Sequence, residues 1–231
     1  MTTHDTPIVD QTAIVIPAYN AASHLRDVIR RCRAIIPNER IIVVDDGSSD
    51  ASFAIAHEEG VTAIKHQENW GKGKALSTGI HKAQEMGAAY AFTIDADGQH
   101  DPKAIPGFLA HLQKTGADII IGNRMSDVRD MPWLRVRTNR LTSWIISLVA
   151  GQKIPDSQSG YRLIKTALFV QIRLETRRYE AESELLIKAS KLGAKIEAVP
   201  IETIYGEEVS SIHPLIDTLR FFRLVIKSFF W

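Results

Sequence analysis

Two carboxylates separated by a single residue are the sharpest chemical signal in the sequence. Asp95 and Asp97 follow the apolar segment 90–94, which is typical of a buried strand. In an extended chain, side chains two residues apart leave the same face, and neighbouring carboxylates repel each other unless a cation joins them. Mg²⁺ and Mn²⁺ prefer such oxygen ligands and usually share them with a substrate phosphate. Gln99 continues the same face, so we predict a metal site formed by Asp95, Asp97 and Gln99.

This acidic segment has two structural alternatives. A calcium-binding loop that began at Asp95 would need glycine at its sixth position and glutamate at its twelfth. Those positions hold His100 and Pro106, which excludes such a loop. Asp101 directly precedes Pro102, a pattern typical of a helix start, and we expect Asp101 to cap that helix rather than to bind a ligand.

Polar residues also lie at the ends of two earlier predicted strands. The apolar segment 13–18 contains Pro17 and is followed by Tyr19 and Asn20. Residues 40–44 are followed by Asp45 and Asp46. A carboxylate at such a position can accept a hydrogen bond from a nucleobase ring N–H or a ribose hydroxyl. A turn followed by a helix cap is the alternative interpretation.

Residues 69–76, NWGKGKAL, are rich in glycine and lysine. They match neither the phosphate-binding P-loop pattern nor GxGxxG. Lys72 or Lys74 can contact a phosphate from this segment, and exposure to solvent is the alternative for each lysine.

These residues lie between predicted strands and helices that alternate regularly along the chain. The strand-like segments are 13–18, 40–44, 61–65, 90–94 and 118–121, and the helical segments are 24–35, one after residue 50, 73–86 and 102–114. Such alternation predicts βαβ units around a mostly parallel sheet flanked by helices. Ligands bind such sheets at the carboxyl ends of the strands, where the polar clusters lie.

The second half of the chain is less regular. We predict a basic segment at 125–140, an apolar helix at 141–150, a turn and short strand at 156–164, a helix at 181–192, one or two strands within 195–205 and a final helix at 215–231. Because no repeat or linker interrupts the sequence, we predict a single domain over residues 1–231.

The composition excludes several classes of protein. The 231 residues carry 28 Lys and Arg against 27 Asp and Glu, whereas a nucleic-acid binder is usually far more basic. The single cysteine, Cys32, excludes an intrachain disulfide and suits a reducing cytosol. The polar N-terminus predicts no signal peptide, and the apolar run 144–151 is shorter than the roughly 20 residues of a membrane span. We therefore expect a cytoplasmic protein that is soluble or lies on a membrane surface.

The order and spacing of three motifs resemble family 2 glycosyltransferases: PAYN at 17–20, DDGS at 45–48 and DADGQ at 95–99. GNR at 122–124 and DSQSGYR at 156–162 resemble the branch with dolichyl-phosphate mannose and glucose synthases and bacterial polyprenyl-phosphate glycosyltransferases. The resemblance covers residues 12–205 and implies the α/β glycosyltransferase A fold. It also implies inverting sugar transfer from a nucleotide-diphospho-sugar with Mg²⁺ or Mn²⁺, a donor half at 12–123 and an acceptor half at 124–205.

Positions that match the family suggest individual roles. We predict the donor site at Pro17, Tyr19, Asn20, Asp45, Asp46, Lys74 and Asp95, and the metal site at Asp95, Asp97 and Gln99. Arg124 matches the position that contacts the acceptor phosphate, and Arg135 and Asn139 match an Arg and a Ser of the same phosphate site. Glu182 falls where relatives with hydroxyl acceptors keep an acid–base carboxylate. The catalytic candidates are therefore Asp97, Arg124 and Glu182.

The expected acceptor is a polyprenyl or dolichyl phosphate. A phosphate is already anionic, so it needs cations to place it rather than a base, and five arginines lie between residues 124 and 140. A solvated basic loop is the alternative for that segment. Two other functions stay open: transfer to a saccharide or protein hydroxyl with Glu182 as base, and a non-catalytic nucleotide-sugar-binding module. A nucleotidyltransferase is disfavoured because the first loop lacks a glycine-rich signature.

Two departures from the family pattern bear on the substrate. Ala21 stands where the family often has glutamate, and residues 205–211, YGEEVSS, lack an Arg and a Lys that mannose synthases keep. The segment 156–160 is closer to the glucose synthase version. UDP-glucose is therefore favoured as donor over GDP-mannose.

The final predicted helix carries basic and apolar residues on opposite faces. Arg220 and Arg223 share one face, and Leu219, Phe222 and Ile226 lie on the other. Such a helix suits a membrane interface, the protein core or a second subunit. Because the expected acceptor is a lipid, we predict that the protein lies on the inner face of the membrane. A homo-oligomer is the alternative use of this helix.

Overall fold

A seven-stranded sheet flanked by helices forms the protein in its computed structural model, which describes residues 7–129, 131–178, 180–202 and 214–231, without the side chains of 214–217. The strands are β1 (Thr12–Ala18), β2 (Ile41–Asp45), β3 (Thr62–Lys65), β4 (Tyr90–Thr93), β5 (Ile119–Asn123), β6 (Arg162–Lys165) and β7 (Ile196–Pro200). The helices are α1 (Ala22–Arg33), α2 (Ser52–Glu58), α3 (Lys72–Glu85), α4 (Ile105–Thr115), α5 (Trp133–Ala150), α6 (Thr166–Phe169), α7 (Glu180–Lys191) and α8 (Pro214–Ser228).

The strand order is β3-β2-β1-β4-β6-β5-β7, and β6 alone pairs antiparallel with its neighbours. This confirms the predicted mostly parallel sheet flanked by helices. The chain builds outward from β1 to β3 and then returns to place β4 on the other side of β1. The carboxyl ends of β1 and β4 therefore form a switch point, where ligands bind in sheets of this kind.

The core lies on both faces of the sheet because neighbouring strand residues point to opposite sides. Ile14 and Ile16 of β1 belong to the apolar cluster under α1 and α4, whereas Val15 belongs to the cluster under α3 and α7. Gly79 brings α3 so close to the sheet that an added Cβ would lie 2.3 Å from Val15 Cγ1. This packing fixes α3, and with it Lys72 at its first turn.

In the second half of the chain, the structure differs from several predictions. Helix α5 begins at Trp133, eight residues before the predicted start, so the second half of the basic segment is helical. Pro132 directly precedes it, and proline is common at helix starts because it carries no N–H to satisfy. The short helix α6 (Thr166–Phe169) was not predicted. The segment 205–211, with its departures from the mannose synthase pattern, lies outside the described residues.

Asp101 behaves as its sequence context predicts. Its carboxylate accepts the Lys103 N–H at 3.0 Å and caps the 3₁₀ turn Pro102–Ala104, which leads into α4. The helix predicted after residue 50 is α2, which begins after Ala51 without a side-chain cap. Asp50 instead accepts hydrogen bonds from the N–H and hydroxyl of Ser52.

Candidate active site

An ion-pair cluster lies just beyond the carboxyl end of β4. The Lys72 ammonium, on the first residue of α3, is 2.7 Å from Asp95 Oδ1 and 2.7 Å from Glu182 Oε1. The Glu182 side chain is 6 % exposed, and those of Lys72 and Asp95 are about one-fifth exposed. The structure thus brings together the first metal candidate, Asp95, and the acid–base candidate, Glu182, through a lysine between them.

Gly160 packs against this cluster from the segment that precedes β6. A Cβ on Gly160 would lie 2.8 Å from Asp95 Oδ2, 2.9 Å from Glu182 Oε1 and 3.0 Å from Lys72 Nζ. The Thr93 hydroxyl donates a 2.7 Å hydrogen bond to the Gly160 carbonyl and holds it there. Only glycine leaves room for the charged groups at so close an approach.

The opposite charges of Lys72 and Asp95 each stabilise the charged form of the other. Burial alone would lower the pKa of Lys72, but the Asp95 and Glu182 carboxylates raise it above its usual range. Burial would likewise raise the pKa of Asp95, but the Lys72 ammonium, with smaller contributions from His100 and Arg124, lowers it. Lys72 and Asp95 are therefore both charged near neutral pH.

Asp97 and Gln99 lie in the turn after the cluster. Asp97 Oδ1 accepts the Gln99 N–H at 3.0 Å across Gly98, whose φ of 78° suits glycine. In the part of the chain that the structure describes, no three His, Cys, Asp or Glu side chains form a metal-binding group. Mg²⁺, however, usually takes one or two protein carboxylates and completes its shell with water and phosphate oxygens. Asp95 and Asp97 fit a divalent cation of that kind.

The two neighbouring carboxylates after β2 have different surroundings. Asp46 accepts hydrogen bonds from His66 Nδ1 at 2.7 Å and from the N–H groups of Trp70 and Gly71 at 3.1 and 2.7 Å. Asp45 Oδ1 accepts a 3.3 Å hydrogen bond from the Ser48 N–H, and the Lys65 ammonium lies 4.0 Å from Asp45 Oδ2. Asp45 Oδ2 is buried and has no hydrogen-bond partner among the described residues. Asp46 therefore holds the loop before α3, whereas Asp45 makes fewer hydrogen bonds within the described residues.

The predicted nucleoside residues after β1 form the adjacent loop. Pro17 is buried in β1, and the Tyr19 side chain is 52 % exposed. Asn20 adopts a left-handed φ of 50°, and its side chain accepts the Ser49 N–H at 2.9 Å. Its own N–H donates to Ser48 Oγ at 2.9 Å, so Asn20 ties this loop to the one after β2.

Arg124, the acceptor-phosphate candidate, is buried against Asp156. Its Nε and Nη2 donate to the two Asp156 carboxylate oxygens at 2.8 and 2.9 Å, and its backbone N–H donates to Oδ2 at 3.2 Å. This two-pronged geometry fixes the plane of the guanidinium. Sequence reasoning named Arg124 but not Asp156 as the residue that orients it.

The other acceptor candidates lie on α5. Asn139 is buried, and its Nδ2 donor has no hydrogen-bond partner among the described residues. Arg135 is half-buried one turn earlier. The Ser157 N–H donates to Ser143 Oγ at 2.9 Å, which joins α5 to the segment that carries Asp156. An unsatisfied buried amide donor is costly, so Asn139 suits a ligand oxygen.

Lys74 lies apart from the carboxylates. Its side chain is exposed and lines a surface groove of about 1110 Å³ between α3 and residues 170–177. Neither Asp95 nor Asp97 lines this groove. The phosphate contact assigned to Lys74 stays a prediction, and Lys72 is the lysine that the fold directs to Asp95.

Two buried residues outside the predicted site residues support the site. Arg162 donates to the carbonyls of Ser157, Ser159 and Glu182 at 2.7–2.9 Å and so fixes the loop before β6. His100 stacks on Tyr161 with a ring-centre distance of 4.8 Å, and burial lowers its pKa to about 4. An arginine within an apolar strand is the only sequence signal for Arg162, and nothing in the spacing indicates that His100 stacks on Tyr161.

Comparison with known proteins shows that the chain is similar to sugar-transferring enzymes. The sequence model described as "Glycosyl transferase family 2" matches residues 13–173. A UDP-N-acetylglucosamine–dolichyl-phosphate N-acetylglucosaminyltransferase of Methanococcus voltae is 37 % identical over 84 % of this chain and 86 % of its own. A polyprenol monophosphomannose synthase of Mycolicibacterium smegmatis is 29 % identical over 83 % of this chain and 76 % of its own.

The solved structure of a glucosyl-3-phosphoglycerate synthase from Mycobacterium tuberculosis has a similar fold. It superposes with a TM-score of 0.71 and 19 % identity, and the match covers 99 % of this chain and 83 % of that one. That structure contains Mn²⁺ and UDP. The likeness confirms the predicted glycosyltransferase A fold.

Proposed function

The chain belongs to glycosyl transferase family 2, and from this premise we propose that it transfers a sugar from a nucleotide-diphospho-sugar to a polyprenyl or dolichyl phosphate, with inversion at the anomeric carbon. The observation that carries the choice of acceptor is the Lys72–Glu182 ion pair. By resemblance, Glu182 matches the acid–base carboxylate of relatives with hydroxyl acceptors, but here its buried carboxylate is paired with the Lys72 ammonium. Transfer to a phosphate requires no base, because the acceptor oxygen is already charged.

In the donor site, the chain's own residues bind and orient the leaving group. Asp95 and Asp97, with Gln99, would hold Mg²⁺ or Mn²⁺, which when bound neutralises charge on the departing diphosphate. The solved glucosyl-3-phosphoglycerate synthase structures with Mn²⁺ or Mg²⁺ support this choice of cations.

We assign the nucleoside to the loops after β1 and β2. Asp45 Oδ2 would accept a hydrogen bond from a base N–H or a ribose hydroxyl, and the exposed Tyr19 ring would pack against the base. Pro17 and Asn20 shape this loop, and Asp46 positions the loop before α3. The M. voltae relative, whose name gives UDP-N-acetylglucosamine, supports a uridine donor. UDP-glucose and UDP-N-acetylglucosamine are therefore the first sugars to test, with GDP-mannose as the comparison.

In the acceptor site, arginine and amide donors would place the phosphate. Asp156 presents Arg124 as a rigid donor group, and Asn139 Nδ2 supplies a buried donor that needs an acceptor. Arg135 adds positive charge nearby on α5. The names of the M. voltae and M. smegmatis relatives, which specify dolichyl phosphate and polyprenol, support a lipid phosphate here.

We further propose that the α5–α8 surface lies on the inner face of the membrane. Helices α5 and α8 contact each other. Together with the two residues after α8, they expose a set of large apolar side chains: Trp133, Leu134, Leu141, Trp144, Leu148, Leu219, Phe222, Ile226, Phe229 and Phe230. The Arg137 guanidinium lies 5.2 Å over the Trp133 ring, as suits a boundary between apolar tails and anionic headgroups. In the described residues, no helix is both long and apolar enough to cross a bilayer.

Vesicle flotation tests this orientation. The wild type should float with vesicles that contain phosphatidylglycerol, and the double variant Trp144→Ser/Phe229→Ser should not. Val170→Ser, which changes an exposed apolar residue outside the surface, is the matched control. A surface that instead mediates dimerisation would give a concentration-dependent mass in solution and no flotation.

The acceptor assignment is tested by comparing Glu182→Gln with Arg124→Ala in a transfer assay with polyprenyl phosphate. Loss of a general base costs about 10²–10⁴ in rate. Because a phosphate acceptor needs no base, Glu182→Gln should instead stay within about tenfold of the wild-type kcat. Loss of a charge-assisted donor costs about 1.5–3 kcal/mol, so Arg124→Ala should lower acceptor kcat/KM by about 10- to 100-fold.

Glu180→Gln, on the first turn of the same helix, is the control for Glu182→Gln. All variants are assayed well below their melting temperatures. The opposite ranking, with Glu182→Gln inactive and Arg124→Ala active, would assign a hydroxyl acceptor instead.

A further inference from the structure

The Lys72 ammonium lies between Asp95 and Glu182, a contact that neither the metal motif nor the acceptor arginines explain. We propose that Lys72 is a positioning residue that makes divalent-cation binding conditional on the nucleotide, by occupying the carboxylates of Asp95 and Glu182 until a diphosphate is present. The proposal rests on the proposed donor site but not on the identity of the acceptor.

The location of this lysine argues for a specific task. Lys72 is the first residue of α3, where the partial positive charge of the helix N-terminus disfavours a cation. Its side chain is also mostly buried, and removing an ammonium from water is costly unless it is paired. The two carboxylates at 2.7 Å offset both costs, so the ion pairs fix where the ammonium lies.

The backbone around Lys72 is clamped on both sides. On one side, Asp46 accepts the Gly71 N–H at 2.7 Å, and Gly71 adopts a φ of 93°. On the other, the Gly73 N–H donates to the Arg177 carbonyl at 2.9 Å, and a Cβ on Gly73 would lie 2.5 Å from Ala181 Cβ. The start of α3 is therefore fixed against the start of α7, which carries Glu182.

The charge of the cluster explains the conditional binding. Without Lys72, the carboxylates of Asp95 and Glu182 would lie close together with no cation between them. Two such carboxylates repel each other unless a cation joins them, so this pair attracts a divalent cation. With the Lys72 ammonium in place, one negative charge is cancelled and two carboxylate oxygens are engaged. A cation then needs the oxygens of a diphosphate to complete its shell.

The experiment measures Mn²⁺ binding to the full chain without nucleotide, by calorimetry and by the electron paramagnetic resonance signal of free Mn²⁺. We expect Lys72→Met to bind Mn²⁺ at least about tenfold more tightly than the wild type, equivalent to about 1.4 kcal/mol. The gain should disappear in Lys72→Met/Glu182→Gln, which lacks the extra carboxylate charge. Lys82→Met, an exposed lysine on the same helix, should bind Mn²⁺ as the wild type does.

A second measurement separates this role from a structural one. Lys72→Met should bind UDP with Mn²⁺ about tenfold more weakly than the wild type, although it binds Mn²⁺ alone more tightly. Lys72→Arg retains the positive charge and should keep Mn²⁺ binding dependent on UDP. A purely structural lysine would give weaker binding of both ligands together with a lower melting temperature.

Unchanged or weaker Mn²⁺ binding by Lys72→Met would overturn the proposal, as would a gain that persists in the double variant. If Lys72→Met does not fold, Lys72→Gln is read by the same criteria. No acceptor is present in these assays, so a failure of lipid-phosphate transfer is detected separately. A wild type that bound no uridine nucleotide would refute the uridine donor, while the comparison with Mn²⁺ alone would still decide the role of Lys72.

Discussion

Removal of either partner of the Arg124–Asp156 pair is expected to cost a large part of the protein's stability. Their side chains are 8 % and 0 % exposed, and their two side-chain hydrogen bonds measure 2.8 and 2.9 Å. Each single substitution leaves one charge buried without its partner, so Arg124→Ala and Asp156→Ala should each lower the free energy of unfolding by about 3–5 kcal/mol. At about 2–4 °C per kcal/mol for a chain of this size, Tm should fall by about 6–20 °C.

A double-mutant cycle isolates the pair itself. Arg124→Ala/Asp156→Ala removes both charges, so its loss of stability should be well below the sum of the single losses, with a coupling energy of about 1–3 kcal/mol. Urea unfolding of the four proteins measures this energy. The exposed pair of Asp127 and Arg129 is the matched control, and Asp127→Ala should leave Tm unchanged. Single losses that add to within about 0.5 kcal/mol would refute the reasoning.

We expect the same pair to link stability to acceptor binding. Asp156→Asn keeps the shape of the side chain but weakens its hold on the guanidinium, so acceptor KM should rise more than kcat falls. Arg124→Lys should not restore wild-type KM, because an ammonium cannot make the two-pronged contact with Asp156. An unchanged acceptor KM in both variants would separate Arg124 from acceptor binding.

Three further perturbations follow from particular contacts. Gly160→Ala brings a Cβ within 3.0 Å of three charged groups, so UDP affinity in a titration should fall, whereas Gly107→Ala, which has open space, should not change it. Asp46→Ala leaves His66 and two backbone N–H groups without their acceptor and should lower the free energy of unfolding in urea by about 1–3 kcal/mol. Burial raises the pKa of Cys32 to about 12, so the folded thiol stays protonated where the unfolded thiol ionises. The free energy of unfolding should therefore fall as pH rises from about 9 to about 12, a slope that Cys32→Ala should reduce.

The first half of the fold follows closely from the sequence because buried parallel strands and amphipathic helices leave strong patterns. The segment predicted as a strand at 40–44 is β2 at Ile41–Asp45, and the helix predicted at 73–86 is α3 at Lys72–Glu85. Polar residues at the carboxyl ends of such strands then indicate the position of the site without any contact being known.

Helix α5 was only partly predicted, and its surface explains why. Exposed apolar residues such as Trp133 and Trp144 share this helix with the arginines of the basic segment. The pattern that marks a helix packed on a core is therefore weak over its first half. A helix that exposes its apolar residues lacks the regular apolar face by which a helix packed on a core is recognised in a sequence.

The neighbouring carboxylates Asp45 and Asp46 show the limit of motif reasoning. Adjacent residues at the end of a strand point to opposite sides, so only one of the pair is suited to face a given ligand. Sequence gives both residues the same weight. The His66 contact that occupies Asp46 depends on a residue 20 positions away. That distinction arises from tertiary packing, which leaves no local signal.

The antiparallel strand β6 explains why residues distant in sequence meet at one site. Thr93 at the end of β4 is paired with Arg162 at the start of β6, so the segment before β6 lies over the carboxyl end of β4. A parallel strand in that place would have delivered its preceding loop to the opposite edge of the sheet. Reversal of this one strand therefore brings Gly160 onto the Asp95–Lys72 pair, and the same segment carries Asp156 to Arg124. The donor and acceptor candidates thus share one short connection, residues 156–160.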